Sequence, residues 1–223
     1  MVDELEARLT AEERTLLDGL NSPARIQAFL DSIAYSTEPI YRCPLRVLRE
    51  RVAHCFDGAL FAAAALRRIG HPPLIVEMLP NERDDDHLLA VYKKDGHWGA
   101  VAKSNFVGLR YREPVYRSLR ELIMSYFEVF FNAVGEKTLR GYTLPLNLAA
   151  FDRLHWTVAD EAAEQIAARL DRVRRVAVLT PAMIEGLSLA DARSLKAGLL
   201  GAVEAGLFRV EKENPGDCER SRG

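Results

Sequence analysis

The stretch that decides the fold is RVAHCFDGALFAAAALRRIG, residues 51–70. Its alanine-rich body is typical of a helix, and Gly70, which two prolines follow closely, marks the end of that helix. Cys55 stands at the expected helix start, with Asp57 in the first turn, where a carboxylate is favoured. The sequence therefore places its most reactive side chain at a helix N-terminus.

Small side chains form the helix face below Cys55. At spacings of three and four this face carries Gly58, Ala59, Ala62, Ala63 and Leu66. A face of this kind lets a β-sheet approach closely. We expect the helix to pack on an antiparallel sheet and the thiol to lie at the end of a strand.

Strand patterns follow the helix. PLIVEML (73–79) is short and β-branched, and HLLAVYKKDGHWGAVAK (87–103) holds two apolar runs around Asp95-Gly96, a strong hairpin signal. A two-residue turn pairs Lys94 with His97 and, carried further along the hairpin, His87 with Ser104. We expect His87, Leu89, Ala102 and Ser104 to share one face.

Helical patterns flank this region on both sides. They cover residues 4–20 and 22–35 before it, with Ser22 as an N-cap, and residues 118–131, 151–175 and 188–208 after it. GYTLPLN (141–147) is the candidate linker. The predicted organisation is a helical lead-in over 1–44, a core over 45–145, a helical extension over 146–211 and a disordered tail over 212–223.

Composition argues against several classes of partner. Lys and Arg number 30 against 32 Asp and Glu, a formal net charge of -2, so no basic field attracts nucleic acid or a membrane surface. The three cysteines, Cys43, Cys55 and Cys218, lack metal-ligand spacing. No secretory signal and no apolar run of about 18 residues is present. We expect a cytoplasmic protein without metal or cofactor, and its oligomeric state stays open.

The residues around Cys55 resemble a known family. CFDGA at a helix start, an alanine-rich helix ending in LRRIGHPPLIVEM, and a histidine opening a hairpin with Gly96 and Trp98 resemble the transglutaminase-like cysteine superfamily over residues 45–106. Residues 99–127 are similar to a bacterial, uncharacterised branch of it. The resemblance implies an α+β, papain-like core, with a nucleophile helix packed on an antiparallel sheet, helical N- and C-terminal extensions, and a Cys, His, Asp triad.

Two triad members carry over by position and the third does not. The resemblance makes Cys55 the nucleophile and His87 the general base, but Ala102 stands where the family has its aspartate. Ser104 has the better strand parity as a replacement, and Asn105 is the better chemical substitute. Asp86 is a weaker choice, because adjacent residues of a strand point to opposite faces.

The implied chemistry is cysteine-dependent acyl transfer through a thioester acyl-enzyme. The outcome is either amide or isopeptide hydrolysis, as in a cysteine protease, or transfer to an amine, with a peptide, amide or acyl-thioester substrate. We expect the helix N-terminus and the imidazole to favour the Cys55 thiolate, and backbone N–H groups near Cys55 to hold the oxyanion.

Two other functions stay open. Ala102 motivates a non-catalytic binding or scaffold protein with a degenerate triad. An acyl carrier like the arylamine N-acetyltransferases would use the same triad logic on a thioester donor.

The remaining motifs favour structural roles. ERDDD (82–86) is not a calcium loop. The arginines of GLRYREPVYRSLREL (108–122) have acidic neighbours, which favours salt bridges over substrate contact by Arg110 or Arg112. The C-terminal helices indicate a packing subdomain or a dimer contact. His54, His71 and His97 are interpreted as surface or turn residues.

Overall fold

The structure is a computed structural model that describes residues 4–209. Cys218 and the expected disordered tail lie outside the described residues. The α-helices are α1 Glu4–Arg8, α2 Ala11–Gly19, α3 Pro23–Ser32, α4 Pro44–Glu50, α5 Cys55–Arg68, α6 Leu119–Met124, α7 Glu161–Leu170, α8 Pro181–Glu185 and α9 Ala192–Gly198. The strands are β1 Ala34–Tyr35, β2 Val52–Ala53, β3 Leu74–Pro80, β4 His87–Lys94, β5 His97–Val101, β6 Arg112–Tyr116, β7 Leu139–Thr143, β8 Leu146–Asn147 and β9 Arg175–Ala177. Short 3₁₀ helices cover Phe127–Val129, Leu148–Leu154 and Glu204–Gly206.

One antiparallel sheet organises these elements. Its strand order is β6-β5-β4-β3-β7-β9, and β8 also pairs with β3. β1 and β2 form a separate parallel pair. The α+β fold class expected from the sequence is confirmed.

Each face of the sheet carries its own core. On one face the buried side chains of Ile75, Leu88, Ala90 and Tyr92 join those of α5 in a single apolar cluster. On the other face, Val76, Met78, Leu89 and Val91 join the buried side chains of α6. The alanine-rich helix therefore packs on an antiparallel sheet, as its small-residue face predicted.

The hairpin follows the predicted register over most of its length. Asp95 and Gly96 have φ values of 50° and 79°, and pairing runs from Lys94 with His97 to Ala90 with Val101. β5 ends there, because the Gln27 side chain bonds to both the N–H and the C=O of Ala102, each at 3.0 Å. The expected strand pairing of His87 with Ser104 is therefore not formed.

The C-terminal part departs from the sequence expectations. The candidate linker is part of the sheet, since β7 and β8 both pair with β3. The helix expected over 151–175 is a 3₁₀ helix that ends at His155, with φ 56°, then α7 and the strand β9. The helix expected over 188–208 is reduced to α9, whose N-cap is Asp191. No helix in the described part of the chain has the length and apolar content that a membrane crossing requires.

Candidate active site

Cys55 is the first residue of α5, and the residue before it holds the helix end in place. His54 is the N-cap: its ring Nδ1 accepts hydrogen bonds from the backbone N–H of Phe56 at 3.1 Å and of Asp57 at 3.5 Å. The buried Asp57 carboxylate in turn accepts from the His54 backbone N–H at 3.4 Å. This is a capping box built with an imidazole. The expectation that His54 is a surface or turn residue is wrong.

The half-buried Cys55 sulfur lies against the backbone of β4. Sγ is 3.9 Å from the carbonyl oxygen of Asp86, and the backbone N–H of Leu88 is near enough to lower the pKa of the thiol. β5 ends at Val101, opposite Ala90, so it does not pair with the start of β4. The thiol therefore lies against the unpaired start of β4, the strand that His87 begins.

His87 is the first residue of β4 and is buried, on the sheet face opposite to the body of α5. Its Nε2 donates to the backbone carbonyl of Leu109 at 2.7 Å. Because a carbonyl only accepts, the neutral ring carries its proton on Nε2 and leaves Nδ1 as an acceptor. No partner for Nδ1 exists among residues 4–209. Burial lowers the pKa of His87 to about 4, so the ring is neutral at pH 7.

The thiol is also neutral in this structure. Burial is the largest cause of a raised Cys55 pKa, and the negative charge of Asp86 raises it further, against the lowering effect of the Leu88 N–H. The expected thiolate is therefore not the resting form. The helix N-terminus does not lower the Cys55 pKa enough to offset the effect of burial. The N–H groups of Phe56 and Asp57 already donate hydrogen bonds to the His54 ring, so they do not stabilise a thiolate.

The two candidates for the third triad position form their hydrogen bonds with groups other than the His87 ring. Ser104 Oγ accepts from the backbone N–H of Phe106 at 3.0 Å. The Asn105 amide bonds to both the C=O and the N–H of Val203, at 2.9 and 2.8 Å. The His87 ring is hydrogen-bonded instead to the backbone carbonyl of Leu109, which accepts from Nε2.

One backbone donor is available beside the sulfur. Of the first four N–H groups of α5, those of Phe56 and Asp57 bond to the His54 ring, and that of Gly58 bonds to the His54 carbonyl. Within the described chain the Cys55 N–H has no acceptor. It is the donor best placed for an oxyanion formed on attack by Sγ.

Cys55 and His87 line the same cavity, of about 500 Å³. Its walls come from several parts of the chain, among them the segment 35–41, the strand end 84–88, the segment 104–109 and the C-terminal residues 205–208. Ser104, Asn105 and Asp86 also line it. The structure thus gathers every sequence-predicted site residue around one cavity.

A buried arginine holds the segment 35–41 against α5. Arg42 is 2% exposed, and its guanidinium bonds to Ser36 Oγ at 3.0 Å and to Glu50 at 2.8 Å. Its backbone N–H donates to Asp57 Oδ1 at 2.9 Å. The first turn of α5 and one wall of the cavity are therefore fixed to each other through Asp57.

Metal ligation finds no support at this site. In the region the structure describes, no three His, Cys, Asp or Glu side chains converge in a way that would hold a metal ion.

Sequence reasoning missed two groups of this site. His54 could have been found, because it directly precedes the first residue of a helix, with an acidic residue at the capping-box position. The Leu109 carbonyl could not, because a backbone acceptor leaves no trace in residue type.

Comparison with known proteins gives only distant structural likeness. No family model matches the chain, and no curated protein matches it. A structure of Legionella pneumophila LapG has a TM-score of 0.35 and 14% identity, covering 45% of this chain and 70% of LapG. A second, EGTA-treated LapG structure has a TM-score of 0.40 and 12% identity, covering 74% of this chain and 95% of LapG. At this level of likeness the comparison defines neither family nor activity.

Proposed function

We propose that the protein is a cysteine-dependent acyl-transfer enzyme of the transglutaminase-like, papain-like class, acting on amide or thioester carbonyls. The observation that carries the proposal is the shared cavity of Cys55 and His87, in which Nε2 is anchored on the Leu109 carbonyl and Nδ1 is left to accept a proton. A fixed tautomer with a free acceptor is what a general base next to a thiol requires.

The neutral resting state sets the order of events. Cys55 Sγ attacks the substrate carbonyl while its proton passes to His87 Nδ1, and the Cys55 N–H donates to the resulting oxyanion. The imidazolium then gives that proton to the leaving amine or thiolate as the C–N or C–S bond breaks, which leaves a thioester. Water or an amine resolves the thioester, with His87 again accepting and returning the proton.

The test is acylation of the intact protein. Mass spectrometry after incubation with a panel of acyl thioesters and peptide amides should find a transient acyl adduct on the wild-type protein, and none on Cys55→Ser. His87→Ala should acylate more slowly by on the order of 10²–10⁴-fold. Cys43→Ala is the matched thiol control, because burial raises the pKa of Cys43 to about 12 and it lies outside the cavity. His97→Ala is the matched histidine control, from the hairpin turn.

The fate of the adduct separates the reactions. Hydrolysis in buffer supports a hydrolase of the cysteine protease kind, and faster loss in the presence of amines supports amide formation. Adducts with thioesters but with no peptide amide would favour an acyl carrier like the arylamine N-acetyltransferases. Acylation of His87→Ala at the wild-type rate would contradict the proposed base.

Two observations favour a second function, that of a non-catalytic binding or scaffold protein. The Cys55 pKa is raised, and the His87 ring is hydrogen-bonded to a carbonyl rather than to a carboxylate. An uncharged acceptor stabilises an imidazolium less than a carboxylate does. Absence of any adduct across the panel, together with alkylation of Cys55 only at pH values above the ordinary thiol range, would support this second function.

A further inference from the structure

The cavity beside Cys55 is strongly acidic. Within the described chain its lining includes no lysine and no arginine, whereas six acidic residues line it: Glu38, Glu77, Asp84, Asp85, Asp86 and Asp171. The protein as a whole is nearly balanced in charge, so this asymmetry belongs to the cavity rather than to the composition.

Two of the six acidic groups are occupied by other partners. Glu38 forms an ion pair with the Arg42 guanidinium, and Asp84 Oδ2 accepts from the Thr138 hydroxyl. The other four, Glu77, Asp85, Asp86 and Asp171, form no ion pair with any lysine, arginine or histidine of the described residues. No basic side chain of the described residues therefore neutralises these four groups, and a bound cation would displace the proton that burial and Asp86 keep on Glu77 near neutral pH.

Glu77 carries the clearest sign of a missing partner. It lies on β3 and is 6% exposed, yet no donor in residues 4–209 reaches its Oε2 atom. Its neighbour is the carboxyl group of Asp86, within hydrogen-bond reach. Arg175 acts on Glu77 through its charge without bonding to it. The two carboxyl groups share a proton and bond to no basic side chain of the described residues, an arrangement in which a bound cation can take the place of the proton.

Other groups on the cavity wall respond to the same carboxylates. After burial, which is the largest cause, Asp86 raises the pKa of both the Cys55 thiol and the Tyr41 phenol. The Tyr35 phenol pKa is raised by burial and then by the charges of Cys55 and Asp85. The negative potential therefore extends across the cavity from β4 to the segment 35–41.

We propose that this cavity binds a positively charged organic group of the substrate, an ammonium or a guanidinium, against Glu77 and Asp86 beside the Cys55 sulfur. An organic cation fits better than a metal ion, since no three metal-ligating side chains converge in the described chain. The proposal rests on the proposed function, which makes Cys55 the reacting atom, and names the substrate class of the same site. The substrate is then a lysine- or arginine-bearing peptide, or an amine that accepts the acyl group.

The test compares thiol reagents of opposite charge and similar size. Cys55 is kept as the single thiol by Cys43→Ala and Cys218→Ala, and it reacts with trimethylammonioethyl or sulfonatoethyl methanethiosulfonate. In each reaction the thiolate attacks the sulfenyl sulfur, an S–S bond forms and methanesulfinate leaves. The ratio of the two rate constants is divided by the same ratio for 2-mercaptoethanol, which removes the intrinsic difference between the reagents.

We expect the normalised ratio to favour the cation by about tenfold or more at low ionic strength and to fall as salt is added. Glu77→Gln with Asp86→Asn should reduce it several-fold. Loss of the Asp86 charge also lowers the Cys55 pKa and speeds the reaction with every reagent, neutral methyl methanethiosulfonate included, and this common factor cancels in the ratio. Glu185→Gln, an exposed carboxyl of α8 outside the cavity, is the matched control and should leave the ratio unchanged.

Three results would overturn the proposal: a wild-type ratio at or below one, an equal loss of the ratio in the Glu185→Gln control, or a cation preference that millimolar calcium abolishes through tight binding at these carboxylates. The reagents need only a thiol. A protein that never forms an acyl adduct but keeps the cation preference would therefore contradict the proposed function and leave the charge selectivity standing.

Discussion

At the scale of single residues, the position of Cys55 depends on the histidine before it. Nδ1 of the His54 ring accepts hydrogen bonds from two backbone N–H groups of α5. Because it accepts, Nδ1 carries no proton. Serine, threonine, aspartate and asparagine are the usual side chains at this position. Here the imidazole of His54 caps the helix instead, and it also lines the cavity that contains the Cys55 sulfur.

His54→Ala should therefore destabilise the protein by about 1 kcal/mol, because two helix N–H groups lose their acceptor. Chemical denaturation measures this loss. His54→Asn supplies another side-chain acceptor and should recover most of the stability. Equal stability of His54→Ala and the wild type would show that the cap contributes nothing.

Residue type brought out the two proposed reacting groups and left their partners open. Cys55 and His87 were predicted as a pair, and both line one cavity, because a helix start and a hairpin mouth are local signals. The partner of His87 was not predicted, because Leu109 contributes only its backbone carbonyl. Asn105 carried a plausible side chain, but that amide is bonded to Val203, 98 residues away in sequence.

At the scale of elements, α5 approaches the sheet at a point where only glycine fits. A Cβ atom on Gly58 would lie 2.3 Å from the Cβ atom of Lys103, just after β5. Lys103 cannot move aside easily, because its buried Nζ donates to the carbonyls of Leu30 and Ile33 at the end of α3, at 2.8 and 2.6 Å. The close packing of α5 on the sheet therefore also depends on α3, which holds Lys103 in place.

Gly58→Ala should destabilise the protein by about 1–2 kcal/mol, because the cost of overpacking exceeds the gain of about 1 kcal/mol in helix propensity. Thermal unfolding measures the difference. Gly19→Ala in α2 is the matched control, since nothing lies within 4 Å of its added Cβ atom. That variant should be neutral or slightly stabilised. An unchanged Tm for Gly58→Ala would mean that α5 and β5 can separate without cost.

Elements with local signals were predicted, and elements that depend on distant partners were not. Asp95-Gly96 fixed the hairpin register as far as Ala90 with Val101. The predicted strand pairing does not continue beyond Val101, because the Gln27 side chain on α3 forms hydrogen bonds with the backbone of Ala102. Likewise β9 lies in a charged stretch with a helical pattern, and it becomes a strand only because β7 offers it an edge.

At the scale of the whole molecule, the site combines two buried groups whose pKa values are displaced in opposite directions. Burial lowers the pKa of His87 to about 4, and burial with the neighbouring Asp86 raises the pKa of Glu77 to about 8. The two residues lie on the paired strands β4 and β3. The register pairs His87 with Met78 and Glu77 with Leu88, so the folded chain holds an uncharged imidazole and a protonated carboxyl group on opposite faces of neighbouring strands at neutral pH.

These displacements predict the pH dependence of stability. An unfolded histidine gains its proton near pH 6.5 and folded His87 only near pH 4, so stability falls as pH drops through this window. An unfolded glutamate loses its proton near pH 4.5 and folded Glu77 only near pH 8, so stability falls as pH rises from 4.5 to 8. His87 therefore lowers the free energy of unfolding on the acidic side of neutral pH, and Glu77 lowers it on the alkaline side.

Glu77→Gln tests the alkaline side of this profile. Glutamine reproduces the protonated carboxyl group and can still donate to Asp86, so the variant should be more stable than the wild type at pH 8, by at least about 1 kcal/mol. The advantage should shrink toward pH 5, where wild-type Glu77 holds its proton without cost. Urea unfolding at pH 5, 6.5 and 8 measures this trend, with Glu185→Gln as a carboxyl-to-amide control on the surface. A difference between Glu77→Gln and wild type that stays constant across the three pH values would show that Glu77 is not held protonated in the folded chain.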